Sequence, residues 1–459
     1  MGEKKLPLLL LPLSLPRHTR EGSPQRERER RRIDLVGMDT DPSDVDRMDE
    51  GVVLGFLVEK EREGTHGWKG EENKTHTYPF LSQVGGAPAW LTPRHLPHAQ
   101  PCPTCGDVMK FLLQIYAPWE EKQDTFHRNI YLFTCARATC LKQTKDPKKT
   151  KNAAAVAYRN QLPRNNPYHA QDACQQAKHR YRGQVDETCE WCNTWLGNKT
   201  CGGCKTKKYC SKQHQIEHWK HGHKHQCKDG KQKHDANTRT EAFPHWNEWE
   251  LVVEPEIDPE DEQLDDGTDR ADGARSTSQP SDDDEAHVDH SPAPKKPNGN
   301  ENAHLERLVA AYEGKKLEGK DPGEAITADD VNGIEISREH QHLADVQARM
   351  ALAPDQCVRY CRGHDEEILW MGLRGKIRTD DVPRCARCGG KRKFEFQVMP
   401  QMLSYLGVND EQEDATDWGT LVVYTCENSC DVSEALEDPA SSVEHAAYIE
   451  EFVWIQPPV

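Results

Sequence analysis

Short apolar stretches without helical periodicity dominate the parts of the chain that could form a core. Four of them are rich in aromatic and β-branched residues, and they lie at 111–115, 129–134, 394–398 and 420–425. Such side chains favour strands, and none of the four stretches has the 3.6-residue period of an amphipathic helix. We therefore predict β-strands at these four places.

One amphipathic helix is predicted to begin near Leu343. Leu343, Val346 and Met350 follow the i, i+3, i+7 spacing of a single apolar face. Cys357 and Cys361 are four residues apart, and we expect the same helix to carry both of them. Two thiolates alone do not complete a structural zinc site, so their expected role is core packing.

The predicted strands occur twice in the same order, with cysteine pairs at their ends. In each half a Cys-x2-Cys-Gly element precedes a strand, whose glutamine lies nine residues after the second cysteine. A second strand and a second cysteine pair follow. The pairs are Cys102/Cys105 with Cys135/Cys140, and Cys385/Cys388 with Cys426/Cys430. This order predicts a duplicated, zinc-ribbon-like hairpin, in which each four-cysteine set binds one Zn²⁺ ion.

The densest ligand pattern lies between the repeats, at residues 189–227. Its ligand-type residues form four consecutive pairs, which are Cys189/Cys192, Cys201/Cys204, Cys210/His214 and His223/Cys227. Because a structural Zn²⁺ ion takes four ligands, we predict two ions held by alternating pairs. The first and third pairs bind one ion, and the second and fourth pairs bind the other. A module this small folds because it binds metal.

The composition divides the chain into folded and solvated parts. Hydrophobic residues make up 35% and charged residues 30%, against about 45–50% and about 25% in globular domains. Fifteen acidic residues and two arginines lie between Glu254 and Asp289. We therefore predict an acidic disordered linker at 254–300, either a spacer or an acidic surface for a basic partner. One large continuous core is not expected.

The first 37 residues have the charge pattern of a signal peptide without its other features. Lys4 and Lys5 precede an apolar stretch, but prolines interrupt it and no cleavage site follows. The stretch is also shorter than the ~20 apolar residues that span a bilayer. We expect a disordered extension at 1–50, with translation starting at Met1 or Met38. Without a credible signal peptide, the seventeen cysteines predict zinc ligands in a reducing compartment. Because the apolar stretch is too short to span a bilayer, no membrane partner is expected.

The block at 189–227 resembles a MYND zinc finger in its ligand spacing and its Tyr209-Cys210-Ser211 element. It departs from that family at His214, where a cysteine is usual, and imidazole also binds Zn²⁺. The resemblance implies a protein-interaction module, often for short proline-containing peptides. Three tryptophans form either the finger's core or an aromatic surface for such a peptide, namely Trp191, Trp195 and Trp219. Three histidines out of register are expected on the surface, namely His218, His221 and His225.

Further motifs resemble those of the programmed cell death protein 2 family over about 51–253 and 343–456. They are Val53-Leu-Gly55-Phe56, 80–91, 111–118, Phe126-His127-Arg128, 394–401, Asp417-Trp418-Gly419 and 450–454. A histidine in place of the finger's sixth ligand, as at His214, is also a feature of that family. The resemblance implies an α+β, β-rich fold. Its N-terminal half-domain spans 51–168, its C-terminal half-domain spans 343–456, and the finger lies between them.

The resemblance implies a zinc-binding chaperone or adaptor for a newly made, basic protein of the small ribosomal subunit. Such a protein acts in 40S ribosome biogenesis, in the cytoplasm and the nucleus. An acidic carrier screens the client's charge, and a β-rich surface offers edge-strand pairing. We expect the client to lie against the duplicated β-domain, with the finger as an accessory site.

The sequence bears on three other classes of function. A transcriptional corepressor or scaffold, docking proline-containing peptides at the finger, is the alternative. Catalysis is not expected, because Gly389-Gly390-Lys391 lacks the P-loop spacing and Phe126-His127-Arg128 lacks an accompanying nucleophile or carboxylate. Direct nucleic-acid binding is not expected either, since the net charge is −17. The lysines at 205–208 are explained by a basic rim on a protein-binding finger.

Overall fold

The computed structural model describes most of the predicted folded regions. The described residues are 51–59, 80–119, 121–142, 154–170, 185–227, 245–256, 338–408, 413–430 and 447–458. The predicted extension at 1–50 and the acidic linker from residue 257 onward lie outside them. So does Cys174, the one cysteine for which the sequence predicts neither a cluster nor a place in the helix. None of the helices in this part of the chain is long and apolar enough to cross a membrane.

Ten antiparallel strands close into one barrel. They are β1 (Val53–Val58), β2 (Gln83–Val84), β3 (Lys110–Tyr116), β4 (His127–Thr134), β5 (Ala155–Leu162), β8 (Trp249–Pro255), β9 (Val358–Tyr360), β10 (Arg392–Val398), β11 (Thr420–Cys426) and β12 (Ile449–Gln456). Around the barrel the order is β1-β8-β2-β3-β4-β5-β12-β11-β10-β9. Strands β6 (Lys199–Thr200) and β7 (Lys208–Tyr209) form a separate hairpin in the finger.

Most helices in the described residues are shorter than two and a half turns, and the exception is the 15-residue helix Arg338–Leu352. The helices are Ala138–Leu141, Lys212–His218, Lys224–Gln226 and Arg338–Leu352, with a π-helical turn at Trp219–His223. Single 3-10 turns lie at Gln123–Thr125, Asp365–Glu367, Thr379–Asp381 and Pro400–Ser404. The β-rich prediction is therefore confirmed, and the four predicted strands correspond to β3, β4, β10 and β11.

Both predicted half-domains enter the same barrel, so they share one core. Strand β5 pairs with β12, and β1 pairs with β9. Leu113 and Leu132 from one half are buried in the same cluster as Phe396 and Val423 from the other. The expectation that no large core forms is wrong. The average composition of the chain did not predict this core, because its 30 buried residues come from distant segments and meet only when the sheet closes.

The β3–β4 and β10–β11 hairpins have the same register. Phe111 pairs with Phe133 as Phe394 pairs with Tyr424, and each hairpin has one β-bulge directly after that pair. The repeated glutamines follow the bulges. The amide oxygen of Gln114 accepts a 2.8 Å bond from the backbone of Ala89, and that of Gln397 accepts a 2.7 Å bond from Leu369. Each glutamine thus anchors a loop that covers the outside of its strand.

The two hairpins place their cysteine pairs at opposite ends of the barrel. Between β4 and β11 the neighbours are β5 and β12, and all three pairings are antiparallel. The chain direction reverses three times, so the ends of β4 and β11 lie at opposite ends. We call the end that carries Cys102–Cys140 the N-knuckle end. The end that carries Cys385–Cys430 is the C-knuckle end.

The predicted helix near Leu343 is present, but it is shorter than expected. It spans Arg338–Leu352 and buries Val346. Cys357 and Cys361 lie beyond it, on either side of β9, so the prediction of one helix carrying both is wrong. Their i, i+4 spacing misled because a three-residue strand also separates two residues by four. Both thiols are buried, which confirms their packing role.

Candidate metal centres and the finger–barrel cleft

Four clusters of cysteine and histidine side chains lie in the described residues. They are Cys102/Cys105/Cys135/Cys140, Cys189/Cys192/Cys210/His214, Cys201/Cys204/His223/Cys227 and Cys385/Cys388/Cys426/Cys430. Within each cluster the ligand atoms all lie within 4.8 Å of one another. The structure thus brings together the same four sets that the sequence spacing predicts, including the alternating pairs of the finger.

The sulfur–sulfur distances fit a tetrahedral zinc ion better than a disulfide. Four sulfurs at ~2.3 Å from one Zn²⁺ stand about 3.8 Å apart along each edge of the tetrahedron. The Cys105–Cys135, Cys192–Cys210 and Cys201–Cys227 sulfurs are 3.6, 3.8 and 3.9 Å apart. The Cys385–Cys430 pair is 3.7 Å apart. A disulfide requires about 2.05 Å, so these sites have the geometry of metal ligands.

Each Cys-x2-Cys pair sits on a tight turn of the same design. The residue after the second cysteine has a positive φ, and its amide donates to the carbonyl of the first cysteine. These residues are Asn193, Lys205, Gly106 and Gly389, with φ of 44°, 58°, 80° and 70°. A left-handed residue favours glycine or asparagine. The Cys-x2-Cys-Gly elements of the sequence therefore specify the turn that aims both thiols at one point.

Local structure in the finger directs the two histidines. The side chain of Ser211 caps helix Lys212–His218 by accepting from the His214 amide at 3.0 Å. This places His214 Nδ1 3.2 Å from the Cys210 sulfur. His223 faces the other cluster through Nε2, 3.6 Å from the Cys204 sulfur. The two histidines thus present different ring nitrogens to their clusters.

The thiol groups in each cluster cannot all ionise unaided. A hydrogen bond from Cys430 lowers the pKa of Cys426 to about 4, whereas the same contact raises the pKa of Cys430. Burial raises the pKa of Cys204, but hydrogen bonds involving Thr206, Lys207 and Cys201 together outweigh it and lower that pKa to about 6. A divalent cation among four sulfurs stabilises the thiolates together. The donor sets are therefore compatible with zinc.

The finger packs against the outer face of β3 and β4. Trp195 is completely buried, its ring centre lies 4.3 Å from that of Phe133, and its indole donates to the Met109 carbonyl at 3.0 Å. Trp90 reaches from the barrel and donates to the Thr194 carbonyl at 2.9 Å. The finger therefore shares a buried cluster with the barrel.

The remaining aromatic residues of the finger have different roles. Trp191 is buried and stacks on His218, which also lies 3.0 Å from the Tyr209 hydroxyl. Burial lowers the pKa of His218 to about 4. His221 and His225 are exposed as expected, whereas His218 is half-buried. Trp219 is 39% exposed, so it alone of the three tryptophans remains on the surface.

A cleft of about 390 Å³ lies between the finger and the N-knuckle end. Asp107, Arg137 and Asp414 line it from the barrel, and Gln213 and Glu217 line it from the finger helix. Arg137 donates to Asp107 at 2.8 Å, so one of the three acidic groups is already paired. The cleft has a candidate metal cluster on each side, and it exists only because the finger docks on the barrel.

Sequence reasoning missed a buried charge network at the C-knuckle end. Arg128 on β4 donates two bonds to Glu395 on β10, at 2.7 and 2.9 Å, and both side chains are about 1% exposed or less. Arg159 on β5 donates to Glu451 on β12 at 2.8 Å. The sequence feature that could have predicted these pairs is an isolated charged residue inside an otherwise apolar strand, as at Arg128 and Glu395. These pairs explain Phe126-His127-Arg128 as a structural element.

The network is continuous with the C-terminal four-cysteine cluster. Arg159 donates to the carbonyl of Cys430 at 3.2 Å, and Glu451 accepts from the backbone of Cys426 at 3.2 Å. Burial raises the pKa of Glu395, but Arg128 and Arg362 outweigh it and lower that pKa to about 2. The N-terminal half thus contributes directly to the surroundings of the C-terminal cluster.

Comparison with known proteins gives three family models and several curated relatives. Residues 51–176 match the programmed cell death protein 2 N-terminal domain, 189–227 the MYND finger, and 340–457 the putative C-terminal domain of programmed cell death protein 2. Programmed cell death protein 2 of Mus musculus is 31% identical over 392 residues, which cover 82% of this chain and 91% of the relative. The Bos taurus protein is 31% identical over 391 residues, with the same coverage of both chains.

A more distant relative covers a smaller region. The probable 20S rRNA accumulation protein 4 of Schizosaccharomyces pombe is 33% identical over 111 residues, 22% of this chain and 25% of the relative. No solved structure matches the chain significantly.

Proposed function

We propose that this chain, which belongs to the programmed cell death protein 2 family, is a zinc-dependent chaperone or adaptor for a newly made, basic protein of the small ribosomal subunit. The observation that carries the proposal is the relative whose name links it to 20S rRNA accumulation. The MYND finger, a protein-interaction module, supports a binding role without catalysis. Action in 40S biogenesis, in the cytoplasm and the nucleus, belongs to the same proposal.

Four Zn²⁺ ions would support this role structurally, two in the finger and one in each flanking four-cysteine cluster. Each cluster ties together segments that are distant in sequence, and Cys385 and Cys430 are 45 residues apart. Zinc therefore contributes stability and holds the surfaces in place, and it takes no part in a reaction. The matching hairpin registers also support an origin of the barrel by duplication.

The expected mode of client capture needs correction. Edge-strand pairing requires a free strand at the edge of a sheet, and the described barrel strands form a closed ring. We propose instead that the client contacts the finger–barrel cleft. Two of its acidic groups, Glu217 and Asp414, make no ion pair with a neighbouring lysine or arginine within the cleft lining. Carboxylates at this position suit basic side chains of the client.

Affinity purification of tagged full-length protein, followed by mass spectrometry, tests the proposal. We expect one free small-subunit ribosomal protein to co-purify. Asp414→Arg should reduce its recovery several-fold, because the added cation repels a basic client in the cleft. Asp380→Arg is the matched control, since Asp380 is exposed far from the cleft at the C-knuckle end. Equal losses in both variants would contradict the assignment to the cleft.

The alternative is a corepressor or scaffold that docks proline-containing peptides at the finger. The exposed ring of Trp219 favours it as a contact for such a peptide. Recovery of chromatin regulators without any ribosomal client, and their loss on Trp219→Ala, would support this alternative over the chaperone.

A further inference from the structure

We propose that an exposed basic surface at the C-knuckle end binds single-stranded RNA through its phosphates. This basic knuckle surface consists of Arg384, Arg387, Lys391 and Lys393. All four side chains are exposed, and within the described part of the chain none of them forms an ion pair. The proposal goes beyond the proposed chaperone role and does not depend on the identity of the client.

The four cations are held by an ordered scaffold. Arg384 and Arg387 each directly precede a ligand-type cysteine of the C-terminal cluster, Cys385 and Cys388 respectively. The turn between them is closed by the Gly389 amide, which donates to the Cys385 carbonyl at 2.9 Å. Because the backbone is fixed, placing the cations on a phosphate chain costs little further ordering of the main chain.

An aromatic ring extends the surface on one side. The Glu427 amide donates to the Lys391 carbonyl at 3.0 Å, and Arg362 donates to the Glu427 carbonyl at 3.2 Å. Arg362 in turn lies 4.3 Å from the ring centre of the half-buried Trp119. A tryptophan beside cations is the arrangement that proteins use to stack unpaired bases while holding the phosphates.

Two carboxylates contact the backbone of this segment, and both keep their negative charge because their hydrogen-bond donors are neutral groups. Glu427 accepts from the Lys391 backbone, and Asp365 accepts from the Phe394 amide and the Thr379 hydroxyl. Asp380 lies 3.8 Å from Arg378, which is outside the basic knuckle surface. Within the described residues, the four cations of the basic knuckle surface form no ion pair, and they outnumber the carboxylates of Glu427 and Asp365 that contact the same segment.

Phosphate binding at the basic knuckle surface depends on local charge and not on the net charge of the chain. The expectation of no nucleic-acid contact rests on a net charge of −17, most of which comes from residues 254–289. Phosphate binding depends on cations within about a Debye length, ~8 Å at physiological salt. The adjacent tryptophan favours RNA over an acidic peptide, because a peptide carboxylate has no ring to stack.

Fluorescence anisotropy with full-length protein tests the proposal. The probe is a fluorescein-labelled 20-nucleotide single-stranded RNA of mixed sequence, titrated at several salt concentrations. We expect the logarithm of the binding constant to fall linearly with the logarithm of salt, with a slope of about −0.7 for each phosphate contact. The Lys391→Glu/Lys393→Glu double variant should bind at least about tenfold more weakly, with the slope reduced by about 1.4.

Three further measurements decide the outcome. The Lys212→Glu/Lys220→Glu double variant carries the same charge change at two exposed lysines of the finger, and it should bind RNA as the wild type does. Trp119→Ala should weaken binding severalfold without changing the salt slope. A labelled 20-residue polyglutamate should bind more weakly than RNA. Equal losses in both lysine variants, no binding at low salt, or tighter binding of polyglutamate would each overturn the proposal.

Discussion

The two ends of the barrel have the same hairpin and cysteine design but opposite interiors. The registers place Leu112 at the position of Glu395, since each is the bulge residue of its strand. Ala155 likewise corresponds to Glu451, because each lies opposite the last threonine of the neighbouring strand. The N-knuckle end buries apolar side chains beside its cysteines, whereas the C-knuckle end buries a network of arginines and glutamates.

The difference shows that strand register does not dictate what fills a barrel. Leu112 is completely buried without any polar partner to satisfy. Glu395 is equally buried, but it requires Arg128 from the other half of the chain, together with the hydroxyl groups of Tyr360 and Thr425. The apolar end needs only a side chain of suitable volume, while the charged end needs specific partners from both halves.

The largest expected effect comes from removing one cysteine of a flanking cluster. Cys102→Ser and Cys385→Ser should each lower the zinc content by one ion, measured by native mass spectrometry. We expect a loss in the free energy of unfolding of at least about 4 kcal/mol, since a structural metal site is lost. Cys102→Ser should be the worse of the two, because Cys102 belongs to the apolar core cluster.

Cys361→Ser is the matched control for that experiment. Cys361 is buried outside all four clusters, so its substitution should leave the zinc content unchanged. Full zinc content in Cys102→Ser or Cys385→Ser would show that the cluster concerned holds no ion.

The next effect, of similar size, should separate the two interiors. Glu395→Leu leaves Arg128 buried without its carboxylate, which should cost about 3–5 kcal/mol in urea unfolding. The Arg128→Met/Glu395→Leu double variant should recover a large part of this loss, because it makes the C-knuckle end more like the N-knuckle end. A double variant no more stable than the single one would show that Arg362, Tyr360 and Thr425 need the carboxylate more than Arg128 does.

The smallest effect concerns pH. Burial, aided by the charges of His169 and Arg164, lowers the pKa of His127 to about 4, whereas an unfolded histidine titrates near 6.5. The unfolded chain therefore takes up the proton first, and stability is lost as pH falls from about 6.5 toward 4. Between pH 7 and pH 5 this contributes about 2 kcal/mol.

His127→Phe should remove that part of the pH dependence. Trp418 occupies the equivalent position in the C-terminal hairpin, because it lies six residues before Tyr424 as His127 lies six residues before Phe133. Trp418 cannot titrate, and it is also buried. Urea unfolding of wild type and variant at pH 7, 6 and 5 measures the difference. Parallel pH profiles for the two proteins would show that His127 is not the group responsible.

Local patterns were sufficient for the hairpins and for the ligand sets. A Cys-x2-Cys turn needs only a left-handed residue at the next position, and strand preference follows from aromatic and β-branched side chains. Both are properties of a few consecutive residues. The same locality explains the error at Cys357 and Cys361, where one spacing fits both a helix and a short strand.

The sequence by itself determined the four strands, the four ligand sets and the family of this protein. Only the tertiary structure decided that both halves close into one barrel, that the finger docks on it through Trp195, and that Arg128 meets Glu395 across 267 positions of the chain. The physical reason is that ligand spacing and turn geometry are short-range. Barrel closure and ion pairing depend on contacts between segments whose separation in sequence says nothing about their distance in space.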